Sequence, residues 1–297
     1  MSDEGKIYRD GNVVVVERKN AEYLLKEEGV TCVNPDAPPA ERVYQKRFSK
    51  KKVYLPDEYD RAKEDHLSHP DSCIISMNGY SSIGKEQLTR YGIKEGAYEE
   101  ACAALLRRTL KYLKSKFSGA HLVVTNGASN MGVDRAILQV MHERNEVSLG
   151  FSCPRFMFYV ADDEKPVYVA ATQDEYADMF IVSLDILIAT GGREQALKHD
   201  VSAACIHGKR IHFVDVLSQL SPSRSVPATV TDANGKIRVE NAAAAFGRNI
   251  SFFGQNDTSS TGRSSGDLWE DIFANVCNTA AAVCRAKMSP ERMFAED

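Results

Sequence analysis

The stretch His121–Arg135, HLVVTNGASNMGVDR, decides the fold. HLVVT is a run of β-formers with little polarity, which reads as a strand covered on both faces, and apolar spacing from Val133 to Glu143 reads as a helix. Between them, glycines at 127 and 132 bracket a turn of small residues. A strand that passes through such a turn into a helix is half of a βαβ unit, so the neighbouring strand must be parallel.

Working outward, the same rhythm recurs. Ser72 to Met77 (SCIISM) is a strand that runs into Asn78-Gly79-Tyr80-Ser81-Ser82-Ile83-Gly84, and Lys94 to Lys114 is a helix with Ala97, Ala101, Leu105 and Leu113 on one face. Arg155 to Ala161 (RFMFYVA) reads as a strand. Ile181 to Thr190 contains another, followed by Thr190-Gly191-Gly192-Arg193 and a helix from Glu194 to His207. Arg210 to Leu217 (RIHFVDVL) is a further strand. Apolar strands alternating with helices predict an α/β fold: a Rossmann-like, mostly parallel sheet flanked by helices.

On either side of this core the signals weaken. Residues 1–70 offer one strand, Asn12 to Glu17, one helix, Ala21 to Glu28, and a passage rich in proline and charge, which reads as an appendage to a domain over 71–297. Its basic run, Lys46, Arg47, Lys50, Lys51 and Lys52, reads as a solvated face whose field Asp57, Glu58, Asp60, Glu64 and Asp65 cancel. Near the other end, Asn234-Gly235 predicts a hairpin, Gly254 to Gly266 a loop, and Leu268 to Lys287 a closing helix.

Composition narrows the function classes. The 297 residues include 37 Lys and Arg against 41 Asp and Glu, so bulk attraction to nucleic acid or to an anionic membrane is not expected. Seven cysteines without a C-x-x-C pair fit a reducing compartment, and no zinc-type spacing is present. No run reaches the ~18 apolar residues of a membrane span, and the first residues lack a leader pattern. The expectation is a cytoplasmic protein with no membrane, nucleic-acid, metal or cofactor requirement.

In an open parallel sheet, ligands sit beyond the carboxyl ends of the strands, where helix N-termini present free amides to an anion. The three glycine turns therefore supply the candidate binding residues: Asn78, Gly79, Tyr80 and Ser81; Gly127, Ala128, Ser129, Asn130, Met131 and Gly132; Thr190, Gly191, Gly192, Arg193 and Gln195. None has the G-x-G-x-x-G or G-x-x-x-x-G-K-[ST] spacing, which disfavours hydride transfer and P-loop chemistry. Asp134, Glu194 and Asp200 are the candidate carboxylates should a glycosidic bond be cleaved, with Asp134 and Glu194 the ones favoured for catalysis. Arg193 or Arg135 would neutralise phosphate. His199 and Asp200, further along the predicted helix, are expected to point away from the crevice unless that helix is short.

The segments LVVTNGASNMGVDRAI (122–137) and SLDILIATGGREQAL (183–197) resemble the two glycine turns of the SLOG superfamily, which includes the LOG phosphoribohydrolases, the DNA-processing protein A family and the N-terminal domains of TRPM channels. The resemblance implies a bound nucleotide or nucleotide-derived ligand, its phosphate held between Gly127–Gly132 and Gly191–Gln195, and self-association as a homo-oligomer, commonly a dimer. The LOG pattern has Pro, Gly and Thr where this chain has Thr190, Glu194 and Gln195, and its catalytic Glu and upstream Arg are not matched. Two functions follow: a ligand sensor, which these departures favour, and an N-glycosidic hydrolase acting on a nucleotide or NAD.

Overall fold

In a computed structural model the chain is described over residues 5–146, 148–191, 200, 203–204, 206–214, 216–220, 250–253 and 265–287. Strands β6 (Ser72–Asn78), β7 (His121–Asn126), β8 (Ser148–Ser152), β9 (Val167–Val169), β10 (Ile186–Ala189), β11 (Arg210–Val214) and β12 (Ile250–Phe253), with the two-residue β5 (Val53–Tyr54), form a parallel sheet. Its order is β12-β11-β10-β6-β7-β8-β9-β5. From β6 the chain builds outward through β7, β8 and β9, then returns to the other side of β6 to lay down β10, β11 and β12. The order thus reverses between β6 and β10, and the carboxyl ends of the strands at such a reversal are where open parallel sheets bind ligands.

Every residue of β6 and of β10 is buried. Alternation sends them to two cores. Cys73, Ile75 and Met77 pack with α3 (Ala97–Lys116), α4 (Gly132–Glu143) and α8 (Ser265–Lys287) through residues such as Leu105, Ile137 and Val276. Ile74 packs on the opposite face with Phe180 and Ile181 of α6 (Gln173–Ser183) and with Ala203 and Ala204. Alternate faces of one strand facing separate apolar layers are what make its sequence read as a continuous apolar run.

The N-terminal region is a second sheet, antiparallel, of β1 (Lys6–Asp10), β2 (Val13–Lys19), β3 (Val30–Cys32) and β4 (Val43–Phe48), in the order β1-β2-β4-β3. Its inner face packs Val14, Val16, Tyr44 and Phe48 against Met157, Phe158, Val167 and Val169. The basic run is a solvated face only in part: Arg47, Lys50 and Lys52 are exposed, and Lys52 pairs with Asp65, but the other two turn inward. Lys46 points inward and donates to the Phe158 carbonyl at 2.9 Å, while the Lys51 side chain, 4% exposed, pairs with Asp163. Burial pushes both ammonium groups below their ordinary range. Asp162 adds a clasp, accepting from the backbone amides of Ser49, Lys50 and Lys51. Period-2 alternation put every other residue of VYQKRF inside, whatever its charge.

Two other expectations change. Arg155–Ala161 is not a strand: Pro154 occupies the first turn of the short helix α5 (Pro154–Met157), a place its fixed φ suits, and the strand is the preceding SLGFS of β8. Ile181–Thr190 does contain its strand, β10, after Ile181–Ser183 closes α6, whose start is marked by Thr172 accepting from the Glu175 amide while the Glu175 carboxylate accepts from Ala171 N. Ala21–Glu28 is one 3₁₀ segment, Glu22–Lys26. Beyond β11 the chain turns into helix α7 (Val216–Leu220), and the predicted hairpin at Asn234-Gly235 lies outside the described residues. Among the described residues no helix is long and apolar enough to cross a membrane.

Candidate functional site

The three glycine turns end adjacent strands, β10, β6 and β7, and they touch. Residues 78–84, after β6, lie in the middle. Toward β10, a Cβ on Gly79 would overlap the Tyr98 hydroxyl and Thr190 Oγ1, and one on Gly191, which has φ +105°, would come 2.9 Å from the Tyr80 ring. Toward β7, the Val133 amide donates to the Tyr80 carbonyl at 3.0 Å, and Gly132, at φ +50°, leaves its own Cβ position to Tyr80 O and Ser81 Cα. Only glycine permits approach this close at these angles.

A buried hydroxyl relay pins the reversal point. Thr190 Oγ1 donates to the Asn78 carbonyl at 2.8 Å, where the Thr190 amide also donates at 2.9 Å. Since that uses the only threonine hydroxyl hydrogen, the Tyr98 hydroxyl, 2.8 Å away, must be the donor to Thr190 Oγ1. Tyr98 in turn accepts from the Tyr80 amide at 2.9 Å. Tyr98 belongs to α3, is 1% exposed, and burial holds its hydroxyl well above the ordinary range. Sequence spacing gives no hint of it, because 92 residues separate it from Thr190.

The second turn is organised by Asp134. Its Oδ1 accepts from the Gly127 amide at 2.8 Å and its Oδ2 from the Ser129 hydroxyl at 2.6 Å. Desolvation outweighs these bonds and pushes the carboxyl up to about 6, with the charge of Asp200 adding to the rise. Ala128, at φ +60°, donates its amide to Asn126 Oδ1, and Asn130 donates its amide to the Tyr159 carbonyl. The amides of 127, 128 and 130 are therefore used within the fold. Those of Gly79, Gly132 and Gly191 have no partner among the described residues. Met131 is the N-cap of α4, and Ser81 is exposed.

Gly192, Arg193, Glu194 and Gln195 lie outside the described residues. Asp200 does not point away: its Oδ2 accepts from Asn78 Nδ2 at 2.8 Å. Burial, and then the charges of Asp134 and Asp200, hold the hydroxyl of Tyr176 on α6 well above the ordinary range. Tyr176 was not legible as a site residue, whereas Asp200 was a candidate carboxylate expected on the wrong side. A signal for Asp200 did exist in its helix following the Gly-Gly turn, but its facing depended on where that helix starts. Among the described residues no group of three His, Cys, Asp or Glu side chains could hold a metal.

No protein-family model matches the chain, and no curated protein matches it by sequence. Solved structures similar to it include the molybdenum cofactor binding protein from Rippkaea orientalis, at 14% identity and a TM-score of 0.40 over 69% of this chain and 96% of that one. The molybdenum cofactor carrier protein from Chlamydomonas reinhardtii is similar at 12% identity and 0.37, over 69% and 99%. A family 9 glycosyl transferase from Veillonella parvula reaches 10% identity and 0.37, over 78% and 51%. A likeness at this level concerns the fold alone.

Proposed function

We propose that the protein binds a phosphorylated nucleoside or nucleotide derivative in the crevice between β6 and β10 and acts as a ligand sensor. The observation that carries this reading is the meeting of three glycine turns at the reversal of strand order, with the amides of Gly79, Gly132 and Gly191 unengaged among the described residues. Amides gathered at the mouth of a parallel sheet, beside the N-terminus of α4, suit a phosphate. The resemblance of residues 122–137 and 183–197 to the SLOG nucleotide-binding turns supports the same ligand class. Sensing is preferred to hydrolysis because both Asp134 oxygens are engaged by Gly127 and Ser129, which makes Asp134 a positioning residue for the loop.

The test is a panel of nucleoside monophosphates, NAD and ADP-ribose, read by thermal shift and by chromatography for released base. A raised melting temperature without base release is the expected result. Base release moves the protein to the hydrolases, and the absence of any shift across the panel refutes nucleotide binding.

A further inference from the structure

At its amino end β6 meets the far end of α8, and two thiols touch there. Cys73 on β6 and Cys284 in the last turn of α8 are 1% and 0% exposed, share one apolar cluster and are joined by a side-chain hydrogen bond, although β7 to β12 all lie between them in sequence. A carboxylate fixes this juxtaposition independently. Asp185 Oδ2 accepts from the amide of Ile74, next to Cys73, at 2.9 Å, and its Oδ1 pairs with Lys287 Nζ, three residues past Cys284, at 2.8 Å. Elsewhere in the core cysteines are seated against oxygen: Cys102 against the Thr190 and Tyr98 hydroxyls, and Cys277 against the Arg108 carbonyl. Cys73 and Cys284 are seated against each other.

We propose that Cys73 and Cys284 are a redox-responsive pair, which an oxidised low-molecular-weight disulfide such as glutathione disulfide converts to an intramolecular disulfide that staples α8 to β6. One protein thiolate attacks a sulfur of the small disulfide, forming a mixed disulfide and expelling one small thiol; the second attacks the protein sulfur of that intermediate and expels the other. Two protein thiols are thereby oxidised by two electrons, the small disulfide is reduced to two thiols, and the protein's two protons pass to them. The closed fold is not the reactive form. The Cys284 thiol, and then burial, hold the Cys73 thiol far above its ordinary range, and the thiolate is the nucleophile. Reaction begins when the end of α8 lifts: Arg285, Ala286 and Lys287 are exposed, and the ion pair that holds this end has a half-exposed ammonium, so opening costs little there. No outside group has to enter the buried contact, because reseating the helix itself carries one sulfur back onto the other at a high effective concentration. The staple lies at the opposite end of β6 from Asn78 and the glycine turns, and it holds or fails independently of the nucleotide reading.

The test equilibrates the full wild-type chain in glutathione buffers of graded oxidised-to-reduced ratio, blocks free thiols with N-ethylmaleimide, and maps the digest by mass spectrometry. The expected product is one linked peptide pair, Cys73 with Cys284, which forms faster in urea below the unfolding transition and reverts with dithiothreitol. A cross-link closing so long a loop is expected to raise the melting temperature by about 5–10 °C, and Cys284→Ala to abolish the rise. Arrest at the mixed disulfide, pairing of either cysteine with another partner, or two thiols still free after days at an oxidising poise in native buffer each overturns the pair. A Cys73–Cys284 bond that leaves the melting temperature unchanged or lower, or a rise that persists in Cys284→Ala, overturns the staple. The mapping uses the wild-type chain and depends on no variant folding.

Discussion

Tyr98→Phe and Thr190→Val, made singly and together, interrogate the relay that holds the crevice in shape. In Tyr98→Phe the Tyr80 amide loses the acceptor it holds at 2.9 Å and Thr190 Oγ1 loses its donor. In Thr190→Val the Tyr98 hydroxyl hydrogen is stranded in a site that is 1% exposed, while the Asn78 carbonyl keeps the Thr190 amide at 2.9 Å. The Cys102 thiol is nearby, but sulfur accepts weakly. Leaving one buried partner unsatisfied costs about 1–3 kcal/mol, so each single change is expected to cost ~2 kcal/mol. In the double variant the Tyr98 donor and its acceptor vanish together and only the bond from the Tyr80 amide to Tyr98 is lost. The pair should therefore cost about 2–3 kcal/mol in place of the ~4 kcal/mol of simple addition, a coupling of about 1–2 kcal/mol. Equilibrium urea unfolding followed by circular dichroism measures all four corners of the cycle. Additivity to within about 0.5 kcal/mol would show that the hydroxyls do not act as a chain, and the donor assignment made from Thr190 would fall.

Gly79→Ala places a methyl on the Tyr98 hydroxyl and Thr190 Oγ1, both buried and both held, so it should lower stability by at least about 1–3 kcal/mol and remove nucleotide binding; a fully active, equally stable variant contradicts the packing described. Gly132→Ala meets Tyr80 O and Ser81 Cα at a left-handed φ and should push the first two turns apart, which crystallography or a loss of phosphate affinity reports. Two buried groups give opposite pH dependences. Asp134, pushed up to about 6, keeps its proton in the folded chain where an unfolded aspartate near ~3.9 has lost it. Its contribution is full below about pH 4 and is lost as pH rises through about 6. His212 on β11, pushed down to about 4 by burial and then by Arg210, stays neutral where an unfolded histidine near ~6.5 gains a proton. Its contribution is full above about pH 6.5 and is lost as pH falls through about 4. Asp134→Asn should therefore steepen the loss of stability between pH 6 and 4 relative to wild type, and His212→Asn should flatten it, as urea midpoints at pH 4.5 and 7 will register; two unchanged slopes contradict both assignments.

What could be read in advance divides along a physical line. Strands β6 and β7 and helices α3, α4 and α8 carry their period over many residues, and each is flanked by a glycine turn or a charged end. The antiparallel sheet was hidden because its inward positions include Lys46 and its edge strand β1 is largely exposed, so polarity masked the alternation. Strand β8 was missed because SLGFS contains the small Ser and Gly that the second turn needs beside it: a Cβ on Gly150 would lie 2.7 Å from the Ala128 methyl. At the site, the turns themselves follow from strand ends, which local pattern can place. Tyr98, Tyr176 and Asp200 come from distant helices whose rotation only the packed core decides, and no spacing rule reaches across the 122 residues between Asn78 and Asp200.

The small strand β5 ties the two sheets to one another, since Val53 and Tyr54 pair with Val167 and Tyr168 on the outer edge of the parallel sheet. Anyone wishing to excise the parallel-sheet half of this molecule by cutting near residue 70 would strip the last rung from that ladder and leave the bare rim of β9 open to edge-to-edge self-pairing. The complementary fragment would fare no better, carrying Lys46 and Lys51 away from the carbonyl and carboxylate that now receive them. Neither portion is portable.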